Sequence, residues 1–239
     1  MSDQIAIVTG AGRGIGLEFT RQLVARGFHV VACARRPEKY DALTTLAEAG
    51  QASLQALDVS SPDSMTRAAA AIAEAHGHVD VIVNNAGVNS KSNPGFEAAT
   101  SLRLGELTQG SLLQQFTINT IGPVLWVQAL LPQLREGTRV LNVSSWLGSV
   151  SIKTSGGNYG YCASKSGLNM MNKALANDLK VRGVISVNFN PGWVRTDMGG
   201  ERAKLSAEES VSGMLDTLMG LDLDDSGKFL QWDGSEHPW

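Results

Sequence analysis

The chain has 239 residues, 43% of them hydrophobic and 18% charged, with a net charge of −3 and no basic run. That balance belongs to an ordinary globule with a sizeable core, and it provides no electrostatic footprint for nucleic acid or an anionic membrane. No apolar run approaches the ~20 residues of a membrane helix, and Met1-Ser2-Asp3-Gln4 leads into a short apolar strand without a signal-peptide core, so a cytoplasmic protein acting on small molecules is expected.

Ile5 to Val8 is a continuous apolar run of the kind buried on both faces of a parallel sheet. It enters Thr9-Gly10-Ala11-Gly12-Arg13-Gly14-Ile15-Gly16 and then a helical pattern that stops at Gly27. Strand, glycine turn and helix together let backbone N–H groups approach a pyrophosphate at a helix N-terminus, where the dipole favours negative charge. The common G-x-G-x-x-G/A fingerprint fits in no register; the pattern is T-G-x-x-x-G-x-G. Phe28 to Ala34 is a second strand, ended by Arg35-Arg36-Pro37. An acidic residue there would bond a ribose 2′-hydroxyl, whereas Arg35 and Arg36, with Arg13 in the glycine loop, suit a 2′-phosphate. NADP(H) is therefore the expected cofactor.

Ser53 to Leu57 is a third strand ending at Asp58-Val59, and Ser60-Ser61-Pro62-Asp63 starts a helix that stops at His76-Gly77. His76 and His78 read as a polar helix end, and no metal site is expected. Val79 to Val83, a fourth strand, leads into Asn84-Asn85-Ala86-Gly87. This alternation predicts a single α/β domain over residues 1–239: a Rossmann-type, doubly wound parallel sheet of about seven strands with helices on both faces. Residues 88–111 read as a loop with at most one short helical turn. Leu112 to Arg135 is helical in pattern and contains Asn119, and Pro123 removes the bond to the Asn119 carbonyl, so a kink is expected there. Arg139 to Val143 is a fifth strand ending in Ser144-Ser145, whose side chains must face opposite ways. Ile185 to Phe189 and Gly227 to Gln231 complete the set. The free thiols Cys33 and Cys162 lack any metal-like spacing.

Tyr161 and Lys165 lie four residues apart in a helical pattern from Tyr159 to Arg182, so they share one face. Moving a phenol from ~10 to roughly 7 takes about 4 kcal/mol. One lysine at ~4 to 5 Å, in an effective dielectric of ~20, supplies about 3 to 4 kcal/mol. A tyrosine so tuned exchanges a proton at neutral pH, as interconversion of a carbonyl and an alcohol requires.

Taken in order, Thr9-Gly10-x-x-x-Gly14-x-Gly16, Asp58, Asn84-Asn85-Ala86-Gly87, Asn119, Ser145, Tyr161-x-x-x-Lys165 and Pro191-Gly192 resemble the short-chain dehydrogenase/reductase family over nearly the whole chain. Ser144-Ser145-x-x-Gly148-Ser149, Ser155-Gly156-Gly157-x-Tyr159-x-Tyr161 and Gly234-x-x-x-Pro238-Trp239 are similar to its branch of small carbonyl reductases that includes the sniffer and C-factor proteins. The resemblance implies an NADPH-dependent reductase of a ketone, aldehyde or quinone. In it Tyr161 is the general acid, Lys165 lowers the tyrosine pKa and bonds the nicotinamide ribose, Ser145 bonds the substrate carbonyl, and Asn119 holds a water. It further implies cofactor contacts from Gly10, Gly14, Ile15, Gly16, Asp58, Val59, Asn85, Ala86, Gly87, Pro191, Gly192, Val194 and Thr196, besides Arg13, Arg35 and Arg36. The family's dimer face would make the protein a homodimer or homotetramer through the helices containing Trp126, Met170 and Met171, residues that fit that face and the core equally well. The alternatives are a signalling protein of the same fold and a dehydrogenase working towards the ketone.

Two intervals, Asn84 to Asn119 and Ser145 to Tyr161, are longer than the family's usual ones. The second insertion, around Ile152 to Gly157, is expected to loop out near the substrate and leaves Ser144, Ser149 and Ser151 as rivals to Ser145. Trp146, Leu147, Trp193 and Met198 are candidate pocket walls, and Asp197 to Ser210 a candidate lid.

Overall fold

The alternating apolar stretches become seven strands of one parallel sheet in the computed structural model, which describes residues 4–89 and 102–239. They are β1 (Gln4–Thr9), β2 (Phe28–Ala34), β3 (Ala52–Ala56), β4 (Val79–Asn84), β5 (Leu134–Val143), β6 (Ile185–Asn190) and β7 (Phe229–Gln231), in spatial order β3-β2-β1-β4-β5-β6-β7. The order reverses between β1 and β4, and ligands of such sheets bind outside the carboxyl ends of the strands at that point.

Helices cover both faces: α1 (Gly14–Ala25), α2 (Asp41–Glu48), α3 (Pro62–His76), α4 (Gln109–Phe116), α5 (Gly122–Ala129), α6 (Tyr159–Lys180) and α7 (Ala207–Gly220). Alternate residues of one strand feed two separate cores. Ala6 and Val8 of β1 pack with Phe19 and Leu23 of α1 and Met214 of α7, while Ile5 and Ile7 pack with Ile72 of α3 and Trp126 of α5. Trp126 is wholly buried and belongs to the core, not to an exposed face. No helix among the described residues is long and apolar enough to cross a membrane.

The pattern from Leu112 to Arg135 is not one helix. It breaks into α4, a wide five-residue π turn (Thr117–Ile121), α5 and a 3-10 turn (Leu131–Gln133), and β5 starts at Leu134 rather than Arg139. Pro123 and Pro132 lack the N–H groups a continuous helix needs, and Asn119 lies in the middle of the wide turn that the missing bond opens. α7 begins inside the segment expected to be a lid. Its start carries a full capping box between Ser206 and Glu209, a signal legible in the sequence. Most of the expected 88–111 loop lies outside the described residues.

A buried polar layer joins the middle of the sheet to α6. Strand register aligns Asn84, Asn142 and Asn188 on neighbouring strands. Asn84 Nδ2 donates to Asn142 Oδ1 at 2.9 Å, Asn142 Nδ2 donates to Asn172 Oδ1 of α6 at 2.8 Å, and Ser186 Oγ donates to the same Oδ1 at 2.5 Å. Just past the end of β5, Ser144 Oγ donates to Asn169 Oδ1 at 2.7 Å. Each of these residues is at most 3% exposed, so every bond counts at interior strength. Replacing Asn142 with Ala should therefore cost about 3 kcal/mol, since it leaves Asn84 Nδ2 only its longer bond to the Pro123 carbonyl at 3.4 Å and removes one of the bonds to Asn172. Urea unfolding measures this, and a loss below about 1 kcal/mol would show that the layer does not hold α6.

Candidate active site

The glycine loop and the Asn84-Asn85-Ala86-Gly87 turn are locked together. Asn85 N and Ala86 N donate to Thr9 Oγ1 at 3.1 and 3.0 Å, and Asn85 Nδ2 donates to the Thr9 carbonyl at 2.9 Å and the Gly10 carbonyl at 3.2 Å. A β-carbon on Gly16 would stand 2.2 Å from the Gly10 oxygen and 2.4 Å from Asn85 Nδ2, so only glycine fits there. The start of α1 has no side-chain cap and no acidic residue in its first turn, which leaves its positive end uncompensated by the protein itself. Beside it β2 ends in Arg35 and Arg36, both exposed, with Ala11 N bonded to the Cys33 carbonyl at 3.0 Å. A tight glycine cradle, an uncapped helix start and two arginines together fit a phosphorylated dinucleotide. Arg13 is engaged across the cleft with Asp197 at 2.6 Å, and Thr196 Cγ2 stands 3.4 Å from where a Gly14 β-carbon would be. Tyr40, which the sequence did not single out, lays its ring over Gly12.

Ser144 and Ser145 face opposite ways, as a strand end dictates: Ser144 turns to Asn169, while the Ser145 side chain lies near enough to the Tyr161 phenol to pull its pKa down and accepts from Leu147 N at 3.2 Å. Ser149 Oγ pairs instead with Ser151 Oγ at 3.2 Å. Of the four serines, Ser145 is the one brought to Tyr161. Lys165 follows one turn along α6, 4% exposed, its Nζ donating to the Val143 carbonyl at 2.7 Å and standing 5.9 Å from the Tyr161 ring centre. Asn119 is fully buried and clamps a distant loop: its Nδ2 donates to the Val88 carbonyl at 2.8 Å and to Ser164 Oγ at 3.0 Å, and its Oδ1 accepts from Val88 N at 2.8 Å. A β-carbon on Gly87 would lie 3.3 Å from Asn119 Oδ1 and 3.6 Å from Lys165 Nζ, so this turn closes on both.

The expectation of a tyrosine brought down to roughly 7 is reversed. Burial pushes the Tyr161 phenol up to about 12, against a smaller downward pull from the Ser145 hydrogen bond. Burial also lowers Lys165 to about 8. The lysine donates to the Val143 carbonyl, and burial, which strips the phenolate of hydration, is the larger effect on the phenol. At neutral pH the tyrosine is thus a protonated acid beside an ammonium ion.

The other predicted residues surround this centre less directly. Asp58 Oδ1 accepts from Ser60 N at 2.9 Å and from Ser60 Oγ at 2.6 Å, and the Val59 carbonyl is packed where a Gly122 β-carbon would clash, at 2.5 Å. After β6, Pro191 is held by Ser210 Oγ at 2.6 Å, and Val194 bridges to Leu205, folding the expected lid back on itself. Asn190, which sequence reasoning missed, ties the two strand ends that meet here: its Oδ1 accepts from Trp146 N at 3.0 Å and Gly192 N at 3.1 Å. The period-two run Ser186, Asn188, Asn190 in an otherwise apolar strand was the available signal. Trp146 and Leu147, which follow Ser145, line a small cavity together with the insertion residues Ile152 and Lys153.

Holding Lys165 as a buried ammonium costs the fold: its pKa of about 8 lies below the ordinary 10.5, which at pH 7 amounts to about 3 kcal/mol. Because the folded pKa is depressed, the unfolded chain binds the extra proton between about 8 and 10.5, and wild-type stability rises with pH through that window. Lys165→Met should accordingly be more stable than wild type at pH 7 by about 2 kcal/mol, allowing for the lost bond to Val143, with the gap closing by pH 10. Parallel denaturant titrations across pH test this, and a pH-independent difference would contradict it.

Residues 4–206 match the family model for short chain dehydrogenase. The chain is 43% identical over 165 residues to the C-signal of Myxococcus xanthus, covering 68% of this chain and 94% of that protein, and 32% identical to 1-hydroxy-2-glutathionyl-2-methyl-3-butene dehydrogenase of a Rhodococcus species, covering 98% of each. Among solved structures, the Drosophila melanogaster carbonyl reductase Sniffer superposes with a TM-score of 0.90 at 30% identity, and an NADPH-bound carbonyl reductase from chicken fatty liver with 0.86 at 31%, each covering the full length of both chains. By sequence and by the arrangement of its site, this chain belongs to the short-chain dehydrogenase family of oxidoreductases.

Proposed function

We propose that the protein is an NADPH-dependent reductase that converts a ketone, aldehyde or quinone carbonyl to the alcohol, with Tyr161 as general acid. The observation that carries this reading is the convergence of Ser145, Tyr161 and the buried Lys165 at the end of β5, with Lys165 held on the Val143 carbonyl 5.9 Å from the Tyr161 ring centre. A carbonyl oxygen held between the Ser145 and Tyr161 hydroxyls meets two donors where negative charge develops. Bound NADPH supplies the hydride. Tyr161 passes its proton to the nascent alkoxide, a stronger base than the phenolate left behind, so the high phenol pKa does not prevent the transfer. Lys165 stabilises that phenolate and bonds the nicotinamide ribose. Asn119 holds the water from which Lys165 and then Tyr161 are recharged. Gly10, Gly14, Ile15 and Gly16 cradle the pyrophosphate, Asp58 and Val59 meet the adenine, Asn85 to Gly87 line the ribose, and Pro191, Gly192, Val194 and Thr196 meet the nicotinamide end.

Arg35 and Arg36, exposed at the end of β2, take the 2′-phosphate with Arg13 once it exchanges Asp197 for that anion. NADPH-bound carbonyl reductase among the structural neighbours supports the same choice. The protein works in the cytoplasm as a homodimer or homotetramer, with the exposed Leu113, Ile121 and Met170 of the α4 to α6 region as apolar surface for a second copy.

Two other readings have a specific observation behind them. The 43% identity to the C-signal favours a cofactor-bound signalling protein, and the Rhodococcus dehydrogenase favours alcohol oxidation.

Oxidation of NADPH by the purified protein, with NADH in parallel, is to be followed against a panel of ketones, aldehydes and quinones. Turnover with NADPH is expected, and Tyr161→Phe should lower kcat by about 100-fold or more while NADPH still binds. Cofactor binding without any turnover across the panel would favour the signalling reading. Arg35→Asp combined with Arg36→Ala should shift preference towards NADH, and an unchanged preference would defeat the 2′-phosphate assignment.

A further inference from the structure

The motif Gly234-x-x-x-Pro238-Trp239 has no part in the chemistry just described, yet it reaches the catalytic neighbourhood. After β7 the chain reverses at Gly234 (φ +86), whose N–H donates to the Gln231 carbonyl at 3.0 Å. It returns antiparallel to β7, with Leu230 bridged to Glu236 and His237 N donating to the Phe229 carbonyl at 2.8 Å. That return sets the rings of His237 and Trp239 on the ring of Phe229, with centres 4.6 and 5.7 Å away. Phe229 is 2% exposed and is paired in register with Asn188 of β6, so this platform is part of the sheet.

From the platform the Trp239 main-chain oxygen accepts a hydrogen bond from Ser151 N at 2.9 Å. Ser151 lies in the inserted loop after Ser145. Among the described residues this is the only backbone hydrogen bond tying 150–155 to a distant part of the chain; the others there, such as Lys153 N to the Val150 carbonyl, are local. The same loop, through Ile152 and Lys153, closes the cavity whose opposite wall is Trp146 and Leu147, the residues directly after Ser145.

We propose that Trp239 is a positioning residue for the carbonyl substrate: anchored on Phe229, it pins Ser151 and so fixes the inserted loop that lines the cavity with Trp146 and Leu147, the two residues that follow Ser145. This rests on the carbonyl-reductase reading for the identity of the ligand, not for the linkage itself. Among the described residues the tail's hydrogen bonds and ring contacts go to β7 and Ser151, so its loss acts on how the substrate is held and leaves cofactor affinity and the proton transfer in place.

The test compares Trp239→Ala, Trp239→Phe, which keeps a ring for Phe229, and Ser151→Pro, which deletes the N–H donor without touching the tail. Amide hydrogen exchange of 149–157 and steady-state kinetics on the best substrate of the panel are measured on each full-length protein with NADPH bound. Trp239→Ala should speed exchange in the loop about tenfold and raise KM about five- to tenfold, with kcat at saturation and the NADPH Kd within about twofold of wild type. Ser151→Pro should raise KM likewise, and Trp239→Phe should restore both readouts. Unchanged exchange in Trp239→Ala overturns the proposal. So does faster exchange with an unchanged KM, which would reduce the tail to a surface brace. Wild type that turns over no carbonyl refutes the reductase reading instead, and the exchange rates then decide alone whether the tail holds the loop.

Discussion

The position of α6 depends on a few buried amides. Tyr161 and Lys165 reach the end of β5 only because α6 packs its polar face, Asn169 and Asn172, on the polar faces of β4, β5 and β6. Apolar residues could fill the same space, as they do on the opposite side of β6, where Val187 and Phe189 meet Met214 and Leu215 of α7. Hydrophobic contact is non-directional and tolerates sliding, whereas paired amides accept one register. The layer is not uniformly satisfied: Oδ1 of Asn84 and Oδ1 of Asn188 find no partner among the described residues. Stability is spent here on alignment, which a proton-transfer pair four residues apart on a helix requires.

The same low-dielectric surroundings govern the site's charge. Desolvation raises the phenol and depresses the ammonium, so both groups move towards their neutral forms. A simple pair calculation on an α-helical i, i+4 spacing misjudges this because it counts the attraction between the two groups and omits the hydration each gives up. It also assumes that the lysine faces the phenol, when its hydrogen bond goes to the Val143 carbonyl. The resulting state, acid protonated and cation buried, suits a donor more than an acceptor of protons.

Much of the architecture was legible because local and global signals agree. Continuous apolar runs at strand positions, glycine at the ends of α1 and α3, and the alternation of strand and helix all point to a doubly wound parallel sheet, and the sheet has the seven strands expected. Pro123 also located the distorted turn at Asn119. What failed had definite causes. A helical pattern over Leu112 to Arg135 reflects burial of several short pieces against one sheet face, and periodicity alone does not see the breaks between them. α2, at eight residues, is too short to impose a pattern, and α7 was obscured by the charged, glycine-containing stretch ahead of its capping box. At the site, strand alternation allowed only one of Ser144 and Ser145 to face Tyr161 and the family resemblance selected Ser145, while the roles of Asn190 and Ser164 come from residues far apart in sequence that meet only in the fold.

The wide turn at Thr117–Ile121 carries a further meaning for how this chain can change. A π turn accommodates one residue more than an α-helical path of the same length, and each residue of an α-helix turns the chain by about 100°. Removing any single residue between Phe116 and Gly122 would permit a smoother helix with better backbone hydrogen bonds. It would also swing Asn119 away from Val88 and Ser164, or swing Trp126 out of its core. Besides the side chain of Asn119, the length of this segment is the constrained quantity, and a one-residue deletion is a change of phase that no neighbouring side chain can correct.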